Sequence, residues 1–179
     1  MSEIVKSRRA AREAAFQAVY QCVCGGSSID AAVTEALGRR TFSPEAAAFV
    51  RELGVGTVTG VSEIDARYSP FLKSGWTPDR LALVDRLVLR LAVFELWGMR
   101  EIPPKVTITE AVELAKRFGG ADSGSFINGV LGRVLQVSPK AEWTGEAAEV
   151  ADVSELEDVG EQSGTSEEPE RSWTLSSDE

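Results

Sequence analysis

The strongest constraint on the fold of this chain is the spacing of its apolar residues. They recur every three to four positions between helix stops, and a strand-like alternation of apolar and polar residues is almost nowhere found. Ala11, Ala14, Ala15, Ala18, Val19 and Cys22 form a thin, Ala-rich stripe that lets a second helix approach closely, and Gly25-Gly26 ends it. A short helix is expected from about Ile29 to Leu37, with Gly38 as its stop. Ser43-Pro44-Glu45 reads as N-cap, first-turn proline and first-turn acid of a long helix that continues through Phe49, Leu53, Val61 and Ile64 to Tyr68. Thr77-Pro78-Asp79 opens another, whose positions Leu81, Val84, Leu87, Val88, Leu91 and Phe94 make it the most apolar segment and the expected central helix. After Pro103-Pro104, Thr107 and Glu110 have capping-box spacing for a helix ending at Gly119. Asp122 or Ser123 then caps a last helix carrying Phe126, Ile127, Val130, Leu131 and Val134.

Six or seven helices within about 135 residues predict a compact all-α domain over 1–140. Charge separates it from the C-terminal segment. Residues 1–140 hold 18 basic and 15 acidic groups, net +3, whereas 141–179 hold one and 13, net −12. The stretch EDVGEQSGTSEEPE has too little apolar surface to offset chain entropy, so 141–179 is expected to be a disordered acidic tail.

Much catalytic chemistry is excluded. The chain has no histidine, which removes Ser-His-Asp and Cys-His catalysis, His-ligated zinc and two-His-one-carboxylate iron. Cys22 and Cys24 supply too few ligands for a structural metal and suit a reducing cytoplasm. No phosphate-binding or nucleophile-elbow glycine motif occurs, and no cofactor is expected. The pairs Asp79/Asp85 and Glu110/Glu113 read as surface and helix-dipole charges. Neither a signal peptide nor an apolar run of spanning length is present, so a soluble cytoplasmic protein that is not an enzyme is the expectation.

Two segments carry binding chemistry. Arg8, Arg9 and Arg12 precede Phe16, Gln17 and Tyr20, and at 100° per residue Arg9, Glu13, Phe16 and Tyr20 share a sector roughly opposite the Ala stripe. Guanidinium groups beside aromatic faces suit single-stranded RNA, pairing with phosphates while rings stack on splayed bases. A solvated basic start with both rings packed on a neighbouring helix fits the same residues. The second segment, FGGADSGSFINGVL at 118–131, offers a helix N-terminus where a phosphate can bind, and equally an ordinary glycine stop and helix restart.

SRRAAREAAFQAVYQ, followed by VDRLVLRLAVFELWGMREIPPKVTITEAVELAKRFGGADSGSFINGVL, resembles the transcription antitermination factor NusB family. The order VLRLAVFEL, proline turn, EAVELAKRFG, F(I)NGVL carries the likeness, and 25–75 matches in helical character alone. The resemblance implies two small helical bundles packed together, no catalytic activity, and binding of the boxA element of ribosomal RNA leaders. It implies two partners: the small-subunit ribosomal protein NusE and, indirectly, the elongating RNA polymerase. Carried over by position, it assigns RNA binding to Arg8, Arg9, Arg12, Gln17, Tyr20, Asp122 and Phe126, and the NusE surface to Asp85. The sequence departs from the family at Gly124 and Ser125, where a His-Lys pair is common, and so lacks one phosphate contact. Two other classes share the pattern: a scaffold of this fold that binds protein only, and a stand-alone relative of the RNA-binding domain of ribosomal RNA methyltransferases.

Overall fold

The computed structural model describes residues 4–143, and among these every long element is a helix. Seven are present: α1 (Arg8–Gly25), α2 (Ile29–Gly38), α3 (Pro44–Thr59), α4 (Val61–Tyr68), α5 (Leu83–Gly98), α6 (Pro104–Phe118) and α7 (Ser123–Gln136). The tail expected at 141–179 lies, beyond Trp143, outside the described residues.

Helices α1, α2 and α3 pack on one another, as do α4, α5, α6 and α7. These are the two small bundles. Helix α5 also packs on α1 and α3, and Leu87, Val88, Leu89, Val93 and Leu96 on it are fully buried, so it is the shared wall between the two groups. Close approach is built in on the α1 side by Ala11, Ala15 and Ala18, all without solvent exposure. It is built in on the α3 side by Gly56, where a Cβ would come within 2.1 Å of the Phe94 ring. Gly26 adopts φ 68°, the left-handed conformation that ends α1 while its N–H donates to the Cys22 carbonyl.

Three helix boundaries differ from the sequence expectation. The long helix from Ser43 is divided at Gly60 into α3 and α4. The hydroxyls of Thr57 and Thr59 bond back to Leu53 O and Val55 O, and Gly56 and Gly60 leave this turn without side-chain support. Thr77-Pro78-Asp79 opens only a single 3₁₀ turn, Pro78–Arg80; Leu81 and Ala82 are extended, and α5 starts at Leu83. Burial of Leu81 in the core outweighs continuation of the turn. Thr107 and Glu110 form no capping box, because α6 starts three residues earlier at Pro104, whose missing N–H costs nothing at a first helical position. Both side chains are used elsewhere, with consequences for the interface.

Candidate nucleic-acid interface

Helix α1 begins after Ser7, whose hydroxyl accepts from the Ala10 N–H. Ahead of it, the N-terminal arm is tied to the α2–α3 turn: Val5 N–H donates to Thr41 O at 2.7 Å and Ser43 N–H donates to Val5 O at 3.0 Å. The arm and turn therefore hold the basic start of α1 in place. Arg8 is exposed and rests its guanidinium 4.5 Å from the Phe49 ring centre.

The three arginines divide into two classes. The Arg9 side chain is 65% exposed and makes a two-pronged contact with Glu110 on α6, at 2.9 and 3.1 Å, which holds its pKa above the ordinary value. One face of its guanidinium stays open to solvent. Arg12 is only 5% exposed. It donates from Nε to Glu95 Oε2 at 2.8 Å and from its terminal nitrogen to Glu95 Oε1 at 2.7 Å, while Thr107 Oγ1 donates to the same carboxylate at 2.6 Å. The geometry gives Arg12 a partner inside the protein and no open face. It joins α1 to α5 and α6.

Phe16 likewise turns inward. It is 3% exposed and stacks on Phe118 at the end of α6, centroids 4.9 Å apart. Beside it, Arg117 donates to Glu13 Oε2 at 2.7 Å. Together these contacts bring the 118–126 segment alongside α1, although the two are about a hundred residues apart in sequence. Of the helical-wheel sector, Glu13 and Phe16 are thus buried and Arg9 and Tyr20, 40% exposed, remain outward, with Gln17 beside them half-buried and donating to Glu13.

A solvent-open groove of about 620 Å³ runs along this face, lined by Gln17, Tyr20, Cys24, Arg39, Val84 and Phe118 among others. Its walls come from α1, the end of α2, the start of α5 and the end of α6. Asp85 follows Val84 directly; it is half-buried, and its Oδ1 has no hydrogen-bond partner among the described residues.

At the α6–α7 turn, Asp122 occupies the N-cap position without a side-chain cap bond, so its exposed carboxylate stays free of the helix. The turn is closed instead by Ser123 Oγ, which accepts from Gly120 N–H at 2.9 Å. Phe126 is half-buried, one part of the ring packed against the core. Gly124 matters through its missing side chain. A Cβ there would meet Lys116 Cγ at 2.9 Å, so the lysine stem lies across the first turn of α7. A cation from α6 thus reaches the turn where the sequence lacks one at Ser125; its ammonium pairs with Glu113 at 3.0 Å.

Comparison with known proteins settles the family, since the NusB family model matches residues 9–136. The chain belongs to the NusB family. Similar curated proteins are named transcription antitermination protein NusB. That of Halalkalibacterium halodurans is 43% identical over 130 residues, covering 73% of this chain and 94% of the relative. That of Symbiobacterium thermophilum is 41% identical over 138 residues, covering 73% and 90%. Among solved structures, T. maritima NusB is 38% identical with a TM-score of 0.70 and covers 76% of this chain and 97% of its own. A structure described as antitermination factors NusB and NusE in complex with dsRNA is 28% identical with a TM-score of 0.66, covering 72% and 96%. The relatives are named for transcription antitermination. No helix among the described residues is long and apolar enough to cross a membrane.

Sequence reasoning missed the groove's far wall. Arg39 and Arg40 close α2 and line a second hollow against Glu13, Gln17 and Phe42 on α1 and the following turn. Their signal was present as an Arg-Arg pair directly after the helix stop Gly38.

Proposed function

We propose that this NusB-family protein is a transcription antitermination factor that binds a single-stranded boxA-type element of ribosomal RNA leaders together with ribosomal protein NusE, linking that RNA to the elongating polymerase. One observation carries the reading. The middle of α1, one to two turns past its exposed arginines, lies against the end of α6 where the 118–126 segment begins, held by the Phe16–Phe118 stack and the Arg117–Glu13 pair. The arrangement supplies Arg39, the exposed Tyr20 ring and hydrogen-bonding side chains along one groove, with Arg8 and Arg9 exposed at the start of the same helix, the combination that binding of a single strand requires.

In this reading Arg8 and Arg9 take phosphates, Gln17, Tyr20 and Phe126 contact bases, and Asp122 accepts from a base amino group. Arg12 acts through the backbone it holds rather than by touching RNA. Asp85, with its unpartnered oxygen at the start of α5, faces NusE. A relative solved with NusE and RNA supports the choice of partners. The test is fluorescence anisotropy of a labelled boxA-type RNA with and without NusE. Specific binding that NusE tightens is expected, with the log-log salt slope falling by about 1.4 in Arg8→Ala/Arg9→Ala, since each single-strand phosphate contact contributes about 0.7. Binding of NusE without RNA affinity in either condition would make the protein a scaffold for proteins only.

A further inference from the structure

Beyond α1, a second cluster of arginines lies at the α2–α3 turn. Arg39, Arg40 and Arg51 converge on one solvent-open cavity of about 480 Å³, completed by Thr41, Phe42 and Ala47. Arg39 pairs with Glu35 at 2.6 Å, with both side chains about half exposed, so that carboxylate neutralises one of the three. Arg40 and Arg51 make no ion pair among the described residues. Two uncompensated guanidinium groups therefore face the same polar hollow.

The hollow adjoins the groove along α1. Arg39 stands in the wall of both, and Arg39 with Arg40 also borders Gln17 on α1. The arm bonded to 41–43 brings Lys6 to this end of the molecule as well. Phe42 and Phe49 fix the surroundings from within: Phe42 packs on the core, and Phe49 carries the Arg8 guanidinium. A series of cations thus runs from Arg8, on the Phe49 ring, past the α2–α3 turn to Arg51.

We propose that Arg39, Arg40 and Arg51 form a second phosphate-binding station, which holds the backbone of the RNA stretch flanking the element bound on α1. The inference rests on the proposed function for its ligand and adds to it a longer RNA footprint. The ligand chemistry is a phosphate group recognised by guanidinium forks, which pair with phosphate in two-pronged fashion. Because such contacts carry no base information, the station positions RNA of any flanking sequence and adds affinity only when the strand is long enough to reach it.

The experiment compares two RNAs, the short boxA-type element and the same element extended by about ten nucleotides at each end. The proteins are the wild type, Arg39→Gln/Arg40→Gln, Arg51→Gln and Arg8→Ala/Arg9→Ala, each confirmed as folded by circular dichroism. The extension is expected to tighten binding several-fold in the wild type, and Arg39→Gln/Arg40→Gln to abolish that gain. The salt slope on the extended RNA should fall by about 1.4, and on the short RNA by no more than the roughly 0.7 of Arg39, which also borders the groove. Arg51→Gln should give about half that fall.

Equal behaviour of Arg39→Gln/Arg40→Gln and the wild type on both RNAs, while Arg8→Ala/Arg9→Ala weakens both, overturns the station and leaves the proposed function standing. Wild-type protein that binds neither RNA overturns both. A third arm separates the two sources of phosphate. Saturable binding of inorganic pyrophosphate at constant ionic strength, lost in Arg39→Gln/Arg40→Gln and unaccompanied by any gain from RNA extension, assigns the cavity to a free polyphosphate and overturns the RNA assignment.

Discussion

Replacing Arg12 separates a residue that builds the interface from residues that use it. In Arg12→Ala the Glu95 carboxylate, 2% exposed, keeps only the Thr107 hydroxyl as a side-chain partner. Removing one member of a buried ion pair costs about 3 to 5 kcal/mol, because the remaining charge is stranded away from water. For a domain of this size each kcal/mol lowers Tm by about 4 °C, so a fall of about 12 to 20 °C is expected by circular dichroism. Replacing both partners, as in Arg12→Met/Glu95→Leu, strands no charge and leaves one unpaired hydroxyl at Thr107, a penalty of about 1 to 3 kcal/mol. The double variant should therefore melt above Arg12→Ala, the opposite of additive behaviour. Its RNA salt slope should equal that of the wild type. Arg8→Ala/Arg9→Ala should do the reverse, altering the slope and leaving Tm within a few degrees, since both side chains are exposed. The reasoning is refuted by an Arg12→Met variant that melts within about 2 °C of the wild type and loses about 0.7 of salt slope, the signature of a phosphate contact.

Phe126→Ala should lower stability by less than the roughly 3 to 5 kcal/mol of a fully buried phenylalanine, since part of its ring faces solvent, while weakening RNA binding by about 1 to 3 kcal/mol; a full core-sized loss in urea titration with unchanged RNA affinity would remove it from the site. The Lys140 ammonium donates to the carbonyls of Glu95, Met99 and Ile102, and Lys140→Met should cost about 1 to 3 kcal/mol by stranding them. Burial lowers the Lys140 pKa from 10.5, so the unfolded chain binds more protons just below that value and the wild type should gain stability over Lys140→Met as pH rises toward 10.5; a difference that shrinks with pH would contradict the assignment. Finally, residues 145–179 carry 12 acidic side chains and one arginine, and a chain ending at Thr144 should bind RNA several-fold more tightly at 0.01 M salt, an advantage that fades as the Debye length falls from about 30 Å toward 8 Å at 0.15 M; equal affinities at low salt would make the acidic segment inert toward RNA.

The packed domain reaches slightly further along the chain than its composition indicates. Lys140 is buried and its ammonium lies 5.6 Å from the Trp143 ring centre, so packing continues three residues past the charge boundary at 140. Charge reports where the chain becomes acidic, and packing reports how far it is held.

By itself the sequence determined what depends on neighbours along the chain. Apolar spacing, glycine and proline stops and the Ser43 cap specify helices, because a helix satisfies its backbone locally and its apolar stripe is periodic. The Ala stripe specified a close-packed α1, and the family pattern specified the two-bundle fold. The tertiary structure alone decided the uses of residues with long-range alternatives. Thr107 and Glu110 could cap a helix locally, but a buried carboxylate at Glu95 and an exposed guanidinium at Arg9 claimed them from other helices. Arg8, Arg9 and Arg12 look alike in sequence, yet 83 residues further on Glu95 draws Arg12 inside and leaves its neighbours out. Arg39 and Arg40 follow the α2 stop in sequence, and only the packing of α2 on α1 sets Arg39 in the wall of the groove and both beside Glu13 and Gln17. A side chain's role is set by the potential of everything within a few ångströms of it, and in a folded chain most of that comes from residues far away in sequence.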